Sequence, residues 1–400
     1  MKLSLALSGL FSTSFLWYKE LSLNVEVRRN EENTLKHQID ADSYLLHLDM
    51  TQYGISTVQK SRSLQTMISN WVQRGYTVSP IGFDSHPVGT SVCLNKRWTR
   101  LVVGVTGYNP DQENSSIRDG KIEIYHFVNS QWDLVQTIFG ASGTIEGSKG
   151  ISVSITPKGD YIAVLNGGDS ITTENGGYNI AGAGSFSVYK RNATTGIFSL
   201  LGSTISEEES GDGSFDFFSP GRGINISKDG KRVALGNPGY GYSKEAAASD
   251  EAYGKAYVYE YKSVNSAWNI LFNTSGWENS QVGSVVSISA DGKRVAVKGG
   301  DGEIKVFEED SALNWNEASV PLINASPSGP EGVALSTNGK RTTLSDSTLN
   351  FYIGGTYVYD KVGPDWVLNA NTPLMGLGRN EYGDQCGAYG GVAISANGTK

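Results

Sequence analysis

One short pattern recurs along this chain and limits what it can fold into. GSVVSISADGKRVAV at 283–297 returns as GRGINISKDGKRVAL at 221–235, KGISVSITPKGDYIAV at 149–164, EGVALSTNGKRTTL at 331–344 and GGVAISANGTK at 390–400. A more divergent copy, GTSVCLNKRWTRLVV, lies at 89–103. Each copy reads as a strand, a tight turn and a second strand. Asp229-Gly230, Asp291-Gly292, Asn338-Gly339 and Asn397-Gly398 are the residue pairs of a two-residue type I′ hairpin, in which both central positions need positive φ.

A second signature follows each hairpin: GKIEIYHF (120–127), GSFSVYKR (184–191), GKAYVYEY (254–261), GEIKVFEE (302–309) and GTYVYDKV (355–362). An aromatic residue comes next, at Trp132, Phe198, Trp268, Trp315 and Trp366, opening a fourth strand. Four short antiparallel strands per repeat make the blade of a β-propeller. Within one copy Val286, Ile288, Val295 and Val297 fall on one face, with Ser287, Ser289 and Ala296 on the other. A large face packing on a neighbour's small face suits radially stacked sheets.

The turn glycines Gly159, Gly230, Gly292, Gly339 and Gly398 are 71, 62, 47 and 59 residues apart. Removing the segments between second and third strands (165–184, 236–254, 298–302 and 345–355) leaves 51, 43, 42 and 48. A near-constant blade with one variable loop is therefore expected, and in a four-stranded meander that loop and the link to the next blade leave from the same end. Variable loops gathered on one face of a rigid scaffold are the usual place for binding.

The expected fold class is all-β: a β-propeller of four-stranded antiparallel blades, about five of them complete here with partial ones beside them. Seven blades are expected in the intact protein, and the chain reads as a fragment because it stops at Asn397-Gly398-Thr399-Lys400, inside a repeat. Residues 71–400 carry the repeats, and 71–79, with Trp71, read as the last strand of an earlier partial blade. Residues 1–70 form an unassigned N-terminal segment. Within it Leu3–Leu16 is too short for a membrane-spanning helix, and fits either an interrupted secretory signal or, preferably, an ordinary strand pair. No other stretch suits a membrane span.

The repeat S-x-S-x-D-G-x-R-V-A-V-G…G-x-x-Y-V-Y-E…W resembles the FG-GAP-type, integrin-α-like propeller repeats of secreted and surface proteins, over about four-fifths of the chain. The resemblance implies an extracellular or particle-surface setting and protein or glycan partners. This chain departs from the family in having no clean Phe-Gly-Gly-Ala-Pro, the nearest being Gly236-Asn237-Pro238, and no D-x-D-x-D-G calcium loop. The family's calcium sites are therefore not carried over. WD40 punctuation and the sialidase Asp-box are absent.

Catalytic signatures are few. The four histidines, His37, His47, His86 and His126, form no metal-binding spacing, and His126 reads as a solvated or packing residue. There is no nucleophile elbow, Walker A or dinucleotide motif. Net charge is -8, from 33 Lys+Arg against 41 Asp+Glu, which argues against nucleic acid as a partner. Cys93 reads as a small mid-strand residue, and pairing with Cys386 would need their Cα atoms within about 7 Å.

The long loops supply the candidate sites. Tyr108, Tyr178, Tyr240, Tyr242 and Tyr253 are candidates for stacking on sugars or anchoring a protein partner. Asp111, Glu113 and Asp119 form an oxygen-rich set for Ca²⁺, against the plainer reading of a solvated turn. Sequons stand at Asn114, Asn192, Asn225, Asn273, Asn324 and Asn397; Asn225, inside a strand, is expected to stay unmodified. The favoured function is a non-catalytic extracellular or surface recognition module that binds protein or glycan through its loop-bearing face. The alternatives are a propeller-scaffolded glycosidase or lyase and a structural repeat of a surface assembly or virion.

Overall fold

The computed structural model describes residues 77–78, 91–106, 108, 120–140, 148–167, 185–206, 223–238, 254–276, 282–299, 303–318, 322–323, 331–347, 354–370, 372–375 and 392–394, all within the compact unit Gly75–Lys400. Every regular element among them is a strand, so no helix there is long and apolar enough to cross a membrane.

The strands form five antiparallel sheets. The first holds β1 (Ser91–Leu94), β2 (Arg100–Val105), β3 (Lys121–Val128) and β4 (Gln131–Phe139). The second holds β5 (Ser148–Ile155), β6 (Tyr161–Gly167), β7 (Ser185–Arg191), β8 (Phe198–Leu200) and β9 (Ile205–Ser206). The third holds β10 (Ile224–Ile226), β11 (Arg232–Asn237), β12 (Lys255–Lys262) and β13 (Ala267–Ser275). The fourth holds β14 (Val286–Ile288), β15 (Arg294–Lys298), β16 (Glu303–Glu309), β17 (Trp315–Glu317) and β18 (Leu322–Ile323). The fifth holds β19 (Gly332–Leu335), β20 (Arg341–Asp346), β21 (Gly355–Val362), β22 (Asp365–Leu368) and β23 (Leu374–Met375).

Within each sheet the strands pair in chain order as a meander. β4 and β13 each cross their partner with a bulge, at Ile124/Tyr125 and Val258/Tyr259. In the other three blades the outer strand breaks in two at this level, so that β9, β18 and β23 pair with the same strand as the piece before them.

Successive sheets pack face to face through their first two strands: β5 on β1 and β2, β10 on β5 and β6, β14 on β10 and β11, and β19 on β14 and β15. This is the blade order of a propeller. Val286, Ile288, Val295, Val297 and Phe307 of the fourth blade pack on Ala234, Ala256 and Val258 of the third. The opposite face of the fourth blade, with Ala296, Ile304 and Val306, receives Val333, Leu335, Tyr357 and Tyr359 of the fifth. Large-on-small packing thus propagates from blade to blade. Val78, at the end of the segment expected to be a partial blade, packs with Leu101, Val103, Val105 and Tyr125 on the outer face of the first blade.

The hairpin turns differ from the expected type I′. In the third blade the Gly230 N–H donates to Ser227 O at 3.0 Å, and of Asp229 and Gly230 only the glycine has positive φ, at 73°. This is a type I turn closed by a left-handed glycine. The Asp229 side chain fixes it, accepting from Ser227 Oγ at 2.7 Å and from the Lys231 N–H at 3.0 Å. Ser289–Asp291 and Ser336–Asn338 repeat the arrangement at 2.5 and 2.8 Å. Asp and Asn were chosen here for their side-chain acceptor, not for tolerance of positive φ.

Candidate functional site

Two devices join neighbouring blades, and both come from the repeat itself. The first lies on the innermost strands. One equivalent residue of each accepts a hydrogen bond from the first strand of the next blade: Ile226 N–H to Ser154 Oγ at 3.3 Å, Ile288 N–H to Asn225 Oδ1 at 3.2 Å, and Leu335 N–H to Ser287 Oγ at 3.0 Å. Cys93 holds this place in the first blade, opposite Val102 as Ser154 is opposite Ala163. It is a free, half-buried thiol. Burial raises its pKa, and hydrogen bonds from the Ile155 and Leu94 backbones partly offset this.

The second device lies at the turn end. The residue that opens the second strand packs on the turn of the following blade: Arg100 on Gly159, Tyr161 on Gly230, Arg232 on Gly292 and Arg294 on Gly339. The arginines also donate to carbonyls of that turn, Arg100 to Lys158 O at 3.2 Å, Arg232 to Gly292 O at 3.1 Å and Arg294 to Asn338 O at 3.5 Å. Carboxylates complete most of these locks. Arg232 bonds its cross-strand partner Glu260 at 3.0 Å and Glu309 of the next blade at 2.9 Å. Arg294 sits 3.4 Å from its partner Glu308, which also holds Lys361 of the next blade at 2.6 Å. Arg341 forms a two-bonded pair with its partner Asp360.

The junction between the first two blades breaks this rule. Opposite Arg100 stands His126 where the other arginines face Glu260, Glu308 or Asp360. Arg191 stands where the third blade's arginine meets Glu309, since Arg191 faces Phe198 as Glu309 faces Trp315. Among the described residues Arg100 has no carboxylate within ion-pair distance, while Arg191 reaches Asp160 through Nε at 3.3 Å. Between them opens a recess of about 250 Å³, lined by Arg100, Arg191 and His126 together with Thr194, Thr195 and an apolar wall. Burial depresses the His126 pKa first, then the charges of Arg100 and Arg191, with Asp133 acting in the opposite direction. Arg100 is lowered likewise by burial and by Arg191.

The turn leading to Arg100 is also unlike the others. Trp98 occupies the left-handed position at φ 57° where the other blades have glycine, and its side chain is 53% exposed. Asn95 caps this turn, its Oδ1 accepting from the Thr99 and Arg100 N–H groups at 2.8 and 2.9 Å. Lys96 and Arg97 in the same turn are exposed.

Of the tyrosines read as binding residues, Tyr108 is half-buried. Its ring lies 5.4 Å from Phe139 and holds the Lys121 ammonium at 4.6 Å. Tyr178, Tyr240, Tyr242 and Tyr253, with Asp111, Glu113, Asp119 and Cys386, lie outside the described residues. Among the described residues no three His, Cys, Asp or Glu side chains gather to hold a metal. The sequence alone singles out none of Arg100, Arg191 and Trp98, and gives His126 only a solvated or packing role. The available signal was the break from the repeat, NKRWTR in place of DGKR and Y-H-F in place of Y-E-Y.

No family model matches the chain, and no curated protein matches it. Among solved structures it is similar to a candidate 6-phosphogluconolactonase from Bacteroides fragilis, at 13% identity over 78% of this chain and 75% of that one, TM-score 0.46. A second candidate 6-phosphogluconolactonase, from Bacteroides uniformis, gives 13% identity over 80% and 78%, TM-score 0.47. The Cps50 (Swd1) β-propeller domain of Myceliophteria thermophila gives 13% over 71% and 87%, TM-score 0.34. The propeller assignment rests on the order and packing of the chain's own sheets.

Proposed function

We propose that this chain is a non-catalytic recognition propeller of the FG-GAP type, acting outside the cell or on a particle surface, and that it binds a protein or glycan through the end bearing its long connections. The observation that supports this reading is a division of labour between the two ends. The turn end is occupied by blade-to-blade locks built from the repeat residues. At the other end the connections between second and third strands run to 15, 17, 17, 4 and 8 residues, so variation is free there without loosening the blades. Tyr178, Tyr240, Tyr242 and Tyr253 lie in these connections and supply aromatic contact area of the kind that dominates recognition surfaces.

The test is a glycan-array and surface-protein binding screen of the full chain beside a variant with Tyr178, Tyr240, Tyr242 and Tyr253 all changed to Ala. Binding that disappears in the variant while the melting temperature is kept supports the reading. Ligands bound equally well by both proteins, or turnover of a glycoside by the wild type, would defeat it in favour of another surface or of an enzyme.

A further inference from the structure

We propose that the recess between the first two blades is a binding site for a tetrahedral oxyanion, a phosphate or sulfate group carried on a small organic ester. The site lies at the turn end, opposite the long connections, so it does not depend on the loop-face reading.

Its basis is a comparison of equivalent positions within the chain. At the junction of the third and fourth blades one arginine meets two carboxylates, Glu260 and Glu309. At the first junction the same two positions carry His126 and Arg191. A junction that carboxylates close between the third, fourth and fifth blades is here lined by cationic side chains and open. Each guanidinium has five N–H donors; among the described residues Arg100 donates to the Lys158 carbonyl and Arg191 to Asp160. The remaining donors suit an acceptor that brings several oxygens, and arginine forks from two blades match phosphate or sulfate geometry. With His126 neutral, Arg100 and Arg191 are balanced by Asp160 and Asp133, but among the described residues no carboxylate lines the recess itself, and protonation of His126 tips the balance positive.

The rest of the recess indicates what carries the anion. At ~30 Å³ per water molecule, about 250 Å³ exceeds the need of a bare ion several times over. Val135 and Ala193, both exposed, also line it, a surface for the carbon skeleton of an ester. Thr194 and Thr195 add hydroxyls at its rim.

The experiment titrates the full chain with inorganic phosphate, sulfate, acetate and chloride at matched ionic strength. It reads the melting temperature and the His126 imidazole resonance. Phosphate or sulfate should raise the melting temperature where acetate and chloride do not, and the bound anion should raise the His126 pKa, so that affinity grows as pH falls through it. The preferred ion separates phosphate esters from sulfate esters. His126→Glu, which restores the carboxylate of the later blades, should weaken binding by roughly tenfold or more while keeping the melting temperature. Equal effects of all four ions, or an unmoved His126 titration, would overturn the site. Acetate as effective as phosphate would overturn the tetrahedral class. The wild-type imidazole signal decides the matter even if the variant folds poorly.

Discussion

Arg232 of the third blade holds Glu309 of the fourth with two parallel bonds, Nη1 to Oε2 at 2.9 Å and Nη2 to Oε1 at 3.0 Å, and the Glu309 side chain is wholly buried. A bidentate pair in this setting fixes the angle between two sheets as well as their separation. Glu309→Gln should cost about 2–3 kcal/mol in urea unfolding, slightly below the penalty for a fully orphaned charge because Glu260 remains on Arg232. Glu317, 40% exposed and 3.6 Å from Lys305, is the control; Glu317→Gln should cost roughly 0.5 kcal/mol or less. Equal losses in the two variants would remove the special role of the junction.

The glycine of each hairpin answers to more than its own φ. A Cβ on Gly230, at φ 73°, would overlap the ring of Tyr161 in the preceding blade, whereas one on Gly363, at φ 61°, would meet nothing within 4 Å. Gly363→Ala should therefore show only the left-handed penalty of about 1–2 kcal/mol. Gly230→Ala should lose distinctly more, roughly 3 kcal/mol, as overpacking adds to it. Chemical denaturation of the two variants makes the comparison; a smaller loss at Gly230 would refute the inter-blade contact.

Ser287 joins the fourth blade to the fifth by accepting the Leu335 N–H. Replacing it with Ala leaves that N–H buried without its acceptor and should cost about 1–2 kcal/mol. Amide exchange at Leu335 should accelerate well beyond that at Val333. If Leu335 exchanges no faster than in the wild type, the innermost contact is not a stabilising one.

Tyr125 donates to Glu123 Oε2 at 2.5 Å on the outer face of the first blade, and Glu123 also pairs with Lys121 at 2.6 Å. Burial first, and Glu123 second, push the phenol pKa well above its ordinary value. Because the folded pKa lies above the unfolded one, its contribution is complete below the unfolded value of about 10 and is lost as pH rises beyond it. Stability should thus fall more steeply above about pH 10 in the wild type than in Tyr125→Phe. Parallel curves would show that Tyr125 ionises freely.

Asp360 behaves in the opposite sense. Its bonds from Arg341 come first, and with that from Asn369 they hold its carboxyl below the usual range despite partial burial. Its stabilisation is present above an unfolded pKa of about 3.9 and is lost as pH falls through the folded value. Asp360→Asn should flatten the acid limb of the stability curve below about pH 4, measured by urea midpoints. An unchanged acid limb would exclude this pair as a contributor.

The periodicity of small, large and turn residues was enough to determine the blades. A strand with Val286 and Ile288 on one side and Ser287 on the other has one way to bury itself between two copies of the same pattern. Asp-Gly or Asn-Gly pairs marked the hairpins of the third, fourth and fifth blades, although the turn type depended on which backbone groups the Asp or Asn side chain could reach, and that is a local geometry that composition does not carry. The recess at the first junction belongs to tertiary structure alone. Arg100, His126 and Arg191 come from three strands in two blades, and each is ordinary by itself. Their significance arises because the fold places His126 and Arg191, around Arg100, where other blades set a carboxylate against the equivalent arginine, and electrostatic balance is decided by which charges packing brings together.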